Sequence, residues 1–163
     1  MLIDANVFKG FFQVEIGHTH SLCGCPKTLI CSASSTLPIY HDTGKIIEHE
    51  WGNVVEREWF NEWLATQYVT GNIAIIEPIR DNGVESKITA LGFPSGRDIV
   101  YVRTGLAVAK INKTCEFFTE DIDFYDPRKK GGSAPARVKA IKGASGPVAK
   151  VLRKSNLLVK CVP

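Results

Sequence analysis

After Asp126 the chain contains no acidic residue. All 17 Asp and Glu lie before that point, accompanied by 10 of the 20 Lys and Arg; the other ten Lys and Arg follow it. The net charge of +3 therefore conceals an acidic body of −7 and a basic end of +10. A basic segment of that density can hold phosphate groups, or it can be a solubilising helix face. Any apolar run near the roughly 18 residues needed to span a bilayer is missing. No export signal opens the sequence, because its first charged residue is Asp4, the wrong sign for one. A soluble, cytoplasmic protein without a membrane partner is the expectation. The five cysteines, at 23, 25, 31, 115 and 161, are odd in number and unevenly placed. That placement predicts reduced thiols and no disulfide framework. No Gly-rich loop follows a strand-like run, which argues against a nucleoside-triphosphate or dinucleotide site. Repeats and interdomain linkers are absent too. With 163 residues, 44% of them hydrophobic, the chain suits one domain over 1–163 with a core of its own.

What is present alternates. Met1–Ile3 reads as a tiny strand stopping at Asp4, and Val7, Phe8, Phe11 and Phe12 then recur at helical spacing. The stretch from Leu37 to Tyr40 reads as a strand, and the sequence from Ile46 to Gln67 as one long helical stretch with Val55, Trp59 and Trp63 in its core. Ile73–Ile76 reads as a buried strand, and Val84, Ile88 and Leu91 as a short helix. Ser95 is placed to cap a helix bearing Asp98, Val102, Leu106 and Ala109 on one face. Glu116–Phe118 reads as a short strand with high β-propensity that Pro127 keeps from continuing. The basic end, 128–163, reads as a Lys/Gly loop, two helices and a last strand over Leu157–Val162. Alternation of this kind predicts an α/β domain with a mostly parallel sheet. Between Gly17 and Ser35 the pattern breaks. His18, His20, Cys23, Cys25 and Cys31, with His41 beyond, leave zinc open, but His-x-His and Cys-x-Cys are not the usual knuckle spacings. A long loop with soft side chains is the expectation there.

Acidic residues stand where apolar elements end. Thr119, Glu120, Asp121 and Asp123 crowd the end of the Glu116–Phe118 strand, and like charges in partial burial repel unless a cation neutralises them. A divalent metal is the usual such cation. Asp4 follows the first strand, where ligands bind in open parallel sheets, although an Asp there can also cap the next helix. Glu50 has Ile46 and Val54 four residues either side, placing it in an apolar stripe, whereas Glu48 has Gly44 and Gly52 and should face solvent. Asp98 opens an apolar helix face, a position that the helix dipole alone could explain.

These elements, Leu2-Ile3-Asp4-Ala5-Asn6-Val7, Glu50-Trp51, Asp98 leading Leu106-Ala107-Val108-Ala109, and Thr119-Glu120-Asp121-Ile122-Asp123-Phe124, resemble the PIN-domain family of metal-dependent nucleases along essentially the whole chain. The resemblance implies a three-layer α/β/α domain with a central, mostly parallel sheet. It implies a divalent-metal-dependent endonuclease, RNA favoured over DNA, with Asp4, Glu50, Asp98 and Asp121 holding Mg²⁺ or Mn²⁺ and Asp123 as an auxiliary acid. Asn6 and Thr119 would orient these groups or touch substrate. Mg²⁺ and Mn²⁺ take oxygen ligands, and such a metal activates water without a side-chain nucleophile. Similar proteins serve as toxins held by an antitoxin or as processing and defence nucleases; such a partner, and a homodimer, stay open. An acidic site cannot itself attract a polyanion, so Lys129, Lys130, Arg137, Lys139 and Lys142 are expected to track the nucleic-acid backbone. Two rivals stand beside this reading. A non-catalytic nucleic-acid-binding or scaffold protein of the same fold is one. An aspartyl phosphotransferase using Asp4 is the other, and it would want a second Asp where Asn6 stands.

Overall fold

In the computed structural model, which describes residues 1–18 and 24–163, short apolar runs form five strands, each ended by a polar or helix-starting residue. They are β1 (Leu2–Ile3), β2 (Ile39–Asp42), β3 (Ile73–Ile76), β4 (Cys115–Phe118) and β5 (Leu157–Lys160). Between them run α1 (Ala5–Glu15), α2 (Pro26–Cys31), α3 (Ile46–Asn53), α4 (Arg57–Thr70), α5 (Asn82–Ala90), α6 (Asp98–Asn112), α7 (Ala134–Lys142) and α8 (Pro147–Arg153). Among the described residues no helix is long and apolar enough to cross a membrane.

The strands pair in parallel: β1 with β4, β4 with β5, and β2 with β3. The two groups join at the first residue. The Met1 ammonium donates to the Pro38 carbonyl at 2.8 Å, and the Met1 carbonyl accepts from Tyr40 N–H at 2.9 Å. Bonding to the residues either side of Ile39 is the pattern of a parallel bridge. The spatial order is therefore β3-β2-β1-β4-β5. The chain leaves β1 in one direction and later builds from β4 in the other, so the order reverses between β1 and β4. In open parallel sheets, ligands bind at the carboxyl ends of the strands flanking such a reversal. Asp4 and Thr119 are the first residues beyond those two ends.

The core spans both sides of that line. Phe8 of α1 stacks on Trp51 of α3 at 5.3 Å and meets Trp63 of α4 edge-on at 4.8 Å, so α1, α3 and α4 share an aromatic layer. Helix α6 is buried almost all round from Tyr101 to Ala109. Gly105 allows this: a Cβ there would come within 2.6 Å of a Leu157 methyl. The close approach seats α6 on β5 and holds its first turn, with Asp98, near the strand ends.

Several expectations need correction. The Cys/His stretch holds a helix, α2, that Pro26 starts at its first turn, where a missing N–H costs nothing. His20 and Cys23 lie outside the described residues. The stretch 46–67 is two helices, because the Glu56 carboxylate accepts from Glu58 N and Trp59 N at 3.0 and 2.9 Å and starts a new one. Ser95 is not a cap; α6 begins after Arg97, with no side-chain capping bond. Among the described residues strand β3 pairs only with β2 and so is an edge strand, and Ile75 in it is 49% exposed. Cys161 is disulfide-bonded, contrary to the expectation of reduced thiols, whereas Cys25, Cys31 and Cys115 are free.

Candidate functional site

Asp4 leaves β1 with its N–H still bonded to the Phe118 carbonyl of β4 at 3.0 Å. Its side chain makes no capping bond to α1, so helix capping does not explain its position. Instead its carboxylate accepts from the Thr119 hydroxyl at 2.5 Å. Thr119 is fully buried and serves as a junction: its Oγ1 also accepts from Asp121 N–H at 3.0 Å, and its carbonyl accepts from the Tyr125 hydroxyl at 2.8 Å. It therefore orients Asp4 and Asp121 and has no surface with which to touch substrate. Asp121 in turn accepts from Asp123 N–H at 2.9 Å, closing the turn that ends β4.

Helix α3 brings in Glu50. The Asp42 carboxylate accepts from Ile46 N and Ile47 N at 3.0 and 2.8 Å and fixes where α3 begins. Trp51 then donates from its indole to the Ile3 carbonyl at 3.0 Å, anchoring α3 to the end of β1. The preceding residue is thereby held beside the Asp4 turn. Glu50 does not lie in an Ile46–Val54 stripe: Ile46 is exposed, Val54 lies outside the helix, and the buried positions are Ile47 and Trp51. Nor does Glu48 face solvent. Its side chain is 15% exposed, sits 3.4 Å from Lys45, and accepts from the Tyr68 hydroxyl at 2.9 Å. Tyr68 also lies 2.5 Å from Nε2 of the fully buried His41, whose Nδ1 is 3.0 Å from the Asp42 carbonyl. A carbonyl only accepts, so Nδ1 carries a proton. These contacts form one chain of hydrogen bonds, His41–Tyr68–Glu48. Glu48 is committed to it, and so is the His41 that zinc would have needed.

Electrostatics bind the remaining acids into one cluster. Burial pushes Asp4 up to about 7, against the Thr119 hydrogen bond, and the charges of Asp121 and Asp98 add to the rise. Asp98 is raised by burial and then by Asp121, Glu50 and Asp123. Burial likewise raises Asp121, with Asp123 adding to it. Each carboxylate thus meets the others' charge in a place poorly solvated for its own. Tyr101, 1% exposed on α6, presents its hydroxyl to the same place. Burial first, then Asp4 and Glu50, drive its acidity far down, so it stays a proton donor. Among the described residues that hydroxyl makes no hydrogen bond of good geometry, although the Glu50 carboxylate is close enough to add to the effect.

One cation reaches the cluster from the basic end. Lys130 Nζ pairs with the buried Asp123 at 2.5 Å, which occupies the auxiliary acid. Arg128 pairs with Asp126 at 2.9 Å. Beside them an open groove of about 410 Å³ is lined by Asn6, Asp121, Lys130 and Arg137 among others. Asn6 accepts there from Glu120 N–H at 3.3 Å. Lys129, Lys139 and Lys142 are exposed and do not line this groove. So the structure brings Asp4, Glu50, Asp98, Asp121, Asp123, Lys130 and Arg137 together and leaves three of the lysines apart. Sequence reasoning missed Tyr101, which reads as plain core at its helix position; only its neighbours reveal it.

Among the described residues, no group of three or more His, Cys, Asp or Glu side chains is already arranged to hold a metal ion. The donors nevertheless suit a hard divalent cation: all are carboxylate oxygens, three of them are raised above the usual carboxylate range by burial and by one another's charge, and a Tyr hydroxyl is buried beside them. Comparisons with protein-family models, with curated proteins and with solved structures found no match.

Proposed function

We propose that the chain is a divalent-metal-dependent nuclease with a PIN-like, three-layer fold, acting on RNA in preference to DNA. The observation that carries the reading is the convergence of Asp4, Glu50, Asp98 and Asp121, from four distant points of the sequence, at the sheet's reversal point, where burial and mutual charge raise Asp4, Asp98 and Asp121 although Lys130 opposes the rise at the last two. The parallel order β3-β2-β1-β4-β5 supports the fold part of it.

Asp4, Glu50, Asp98 and Asp121 would hold Mg²⁺ or Mn²⁺, which when bound supplies an activated water and a counter-charge for the reacting phosphate. The protein's own residues do the rest. Thr119 keeps the Asp4 carboxylate turned toward the cluster, and Trp51 keeps Glu50 there. Tyr101 offers a donor hydroxyl at the floor. Lys130 neutralises Asp123, and with Arg137 it presents cations to a phosphate in the 410 Å³ groove. Asn6, on the groove wall, offers its amide nitrogen to the same strand.

A second reading, a non-catalytic nucleic-acid-binding or scaffold protein, is favoured by the unassembled donors and by Lys130 on Asp123. Incubating the protein with labelled RNA and single-stranded DNA in Mg²⁺, Mn²⁺ or chelator separates the two. Cleavage that needs metal and disappears in Asp4→Asn and Asp121→Asn is expected. RNA binding with no metal-dependent cleavage would establish the second reading instead.

A further inference from the structure

A groove of about 640 Å³ is lined by residues of α3, the first turns of α4 and the residue before α6. Lys45, His49, Asn53, Arg57, Asn61 and Arg97 supply its polar lining. Its one carboxylate, Glu48, is already engaged by Tyr68 and Lys45. Arg57 and Arg97 are exposed and have no ion pair or hydrogen-bond acceptor among the described residues. Two free guanidinium forks with side-chain amides between them are suited to phosphate oxygens, which they can bind in pairs. Arg97 immediately precedes Asp98, and Glu50 follows His49 on the same helix. Two of the cluster's acids are therefore chain neighbours of residues lining this groove, and Asp121 lines the other groove with Lys130 and Arg137.

We infer that the Lys45/Arg57/Arg97 groove binds the phosphate backbone of a single-stranded nucleic acid whose chain continues across the acidic cluster into the Lys130/Arg137 groove. The direction of the strand rests on the nuclease reading, and the grip rests on this groove's own charge. The source of the grip therefore differs from the one that net charge suggests. The basic C-terminal end is charged enough, yet Arg128 and Lys130 are occupied by Asp126 and Asp123, and Lys129, Lys139 and Lys142 stand off the groove. The free guanidinium groups are in the acidic body, where net charge hides them. A strand lying across the cluster must be held on both sides of the reacting phosphate, since phosphate contacts set register and supply most of the affinity.

The test is fluorescence anisotropy with a labelled single-stranded RNA of about 12 nucleotides, in Ca²⁺, over a series of salt concentrations. The double variant Arg57→Gln/Arg97→Gln should bind about tenfold or more weakly. Its slope of log K against log salt should be shallower by about 1.4, at roughly 0.7 for each single-strand phosphate that the variant no longer neutralises. Shortening the RNA should cost the wild type affinity and the variant little. Thermal melting should show both proteins equally folded, because the two side chains are exposed. An unchanged affinity and slope in the variant overturns the inference. So does loss of binding to a labelled polyglutamate peptide with RNA binding intact, which would make the groove a dock for an acidic protein. The nuclease reading fails separately: groove-dependent RNA binding by a wild type that cleaves nothing in Mg²⁺ or Mn²⁺ leaves the groove standing and removes the catalysis.

Discussion

Replacing Asp4 by Asn should make the metal-free protein more stable, increasingly so as pH rises. The carboxyl of Asp4 ionises near 3.8 in the unfolded chain and is pushed up to about 7 in the folded one, chiefly by burial and then by Asp121 and Asp98. Below pH 4 both states carry the proton and the group costs nothing. As pH rises past 4 the unfolded state ionises freely while the folded state does not, so stability falls until the folded group ionises near 7 and is constant above that. At about 1.4 kcal/mol per pH unit of separation, the full penalty is on the order of 4 kcal/mol. Asn keeps an oxygen to accept from Thr119 and adds no charge, so it removes the penalty without leaving a hole. Urea denaturation of both proteins in chelator should give nearly equal stabilities at pH 4 and a variant more stable by about 4 kcal/mol at pH 8. Saturating Mn²⁺ should narrow or reverse the gap, because the cation favours the wild-type carboxylate. A stability difference that stays flat between pH 4 and pH 8 would refute the reasoning, since it would mean that Asp4 is not desolvated among like charges.

Tyr101→Phe should raise metal-free stability by about 1 kcal/mol, because it deletes a buried hydroxyl that makes no hydrogen bond of good geometry, and should weaken Mn²⁺ binding measured by calorimetry. A destabilised Phe variant would mean that the hydroxyl is hydrogen-bonded in solution, with Glu50 the nearest candidate acceptor. Glu48→Gln and Glu50→Gln should part company: the first costs about 1–2 kcal/mol by weakening the His41–Tyr68–Glu48 chain and leaves Mn²⁺ binding alone, whereas the second abolishes Mn²⁺ binding at little cost to stability. The reverse ranking would exchange their assignments.

The alternation of strands and helices was legible in the sequence because each strand is a short apolar run with a polar stop, and each stop is local chemistry. Ile73–Ile76 closed by Glu77-Pro78 forms a strand with those bounds, and the strand expected over Glu116–Phe118 starts one residue earlier, at Cys115. The candidate acids were legible for a related reason. A carboxylate at the end of an apolar element is anomalous on one-dimensional grounds, whatever lies across from it. What the sequence by itself determined is therefore a set of elements and a set of misfit charges. The choice of Glu50 over Glu48 was not in it. Periodicity pointed to Ile46 and Val54, yet the direction of α3 is set by Asp42 at its start and by the Trp51 bond to Ile3, two contacts made across the fold. Tyr101 looks like core, and its buried hydroxyl matters only relative to Asp4 and Glu50. The charge asymmetry suggested a basic end gripping phosphate, but pairing decides which cations are free, and pairing is a property of neighbours in space. Tertiary structure commits Lys130 to Asp123 and leaves Arg57 and Arg97 open, because burial and distance, not order along the chain, set the energy of a charge.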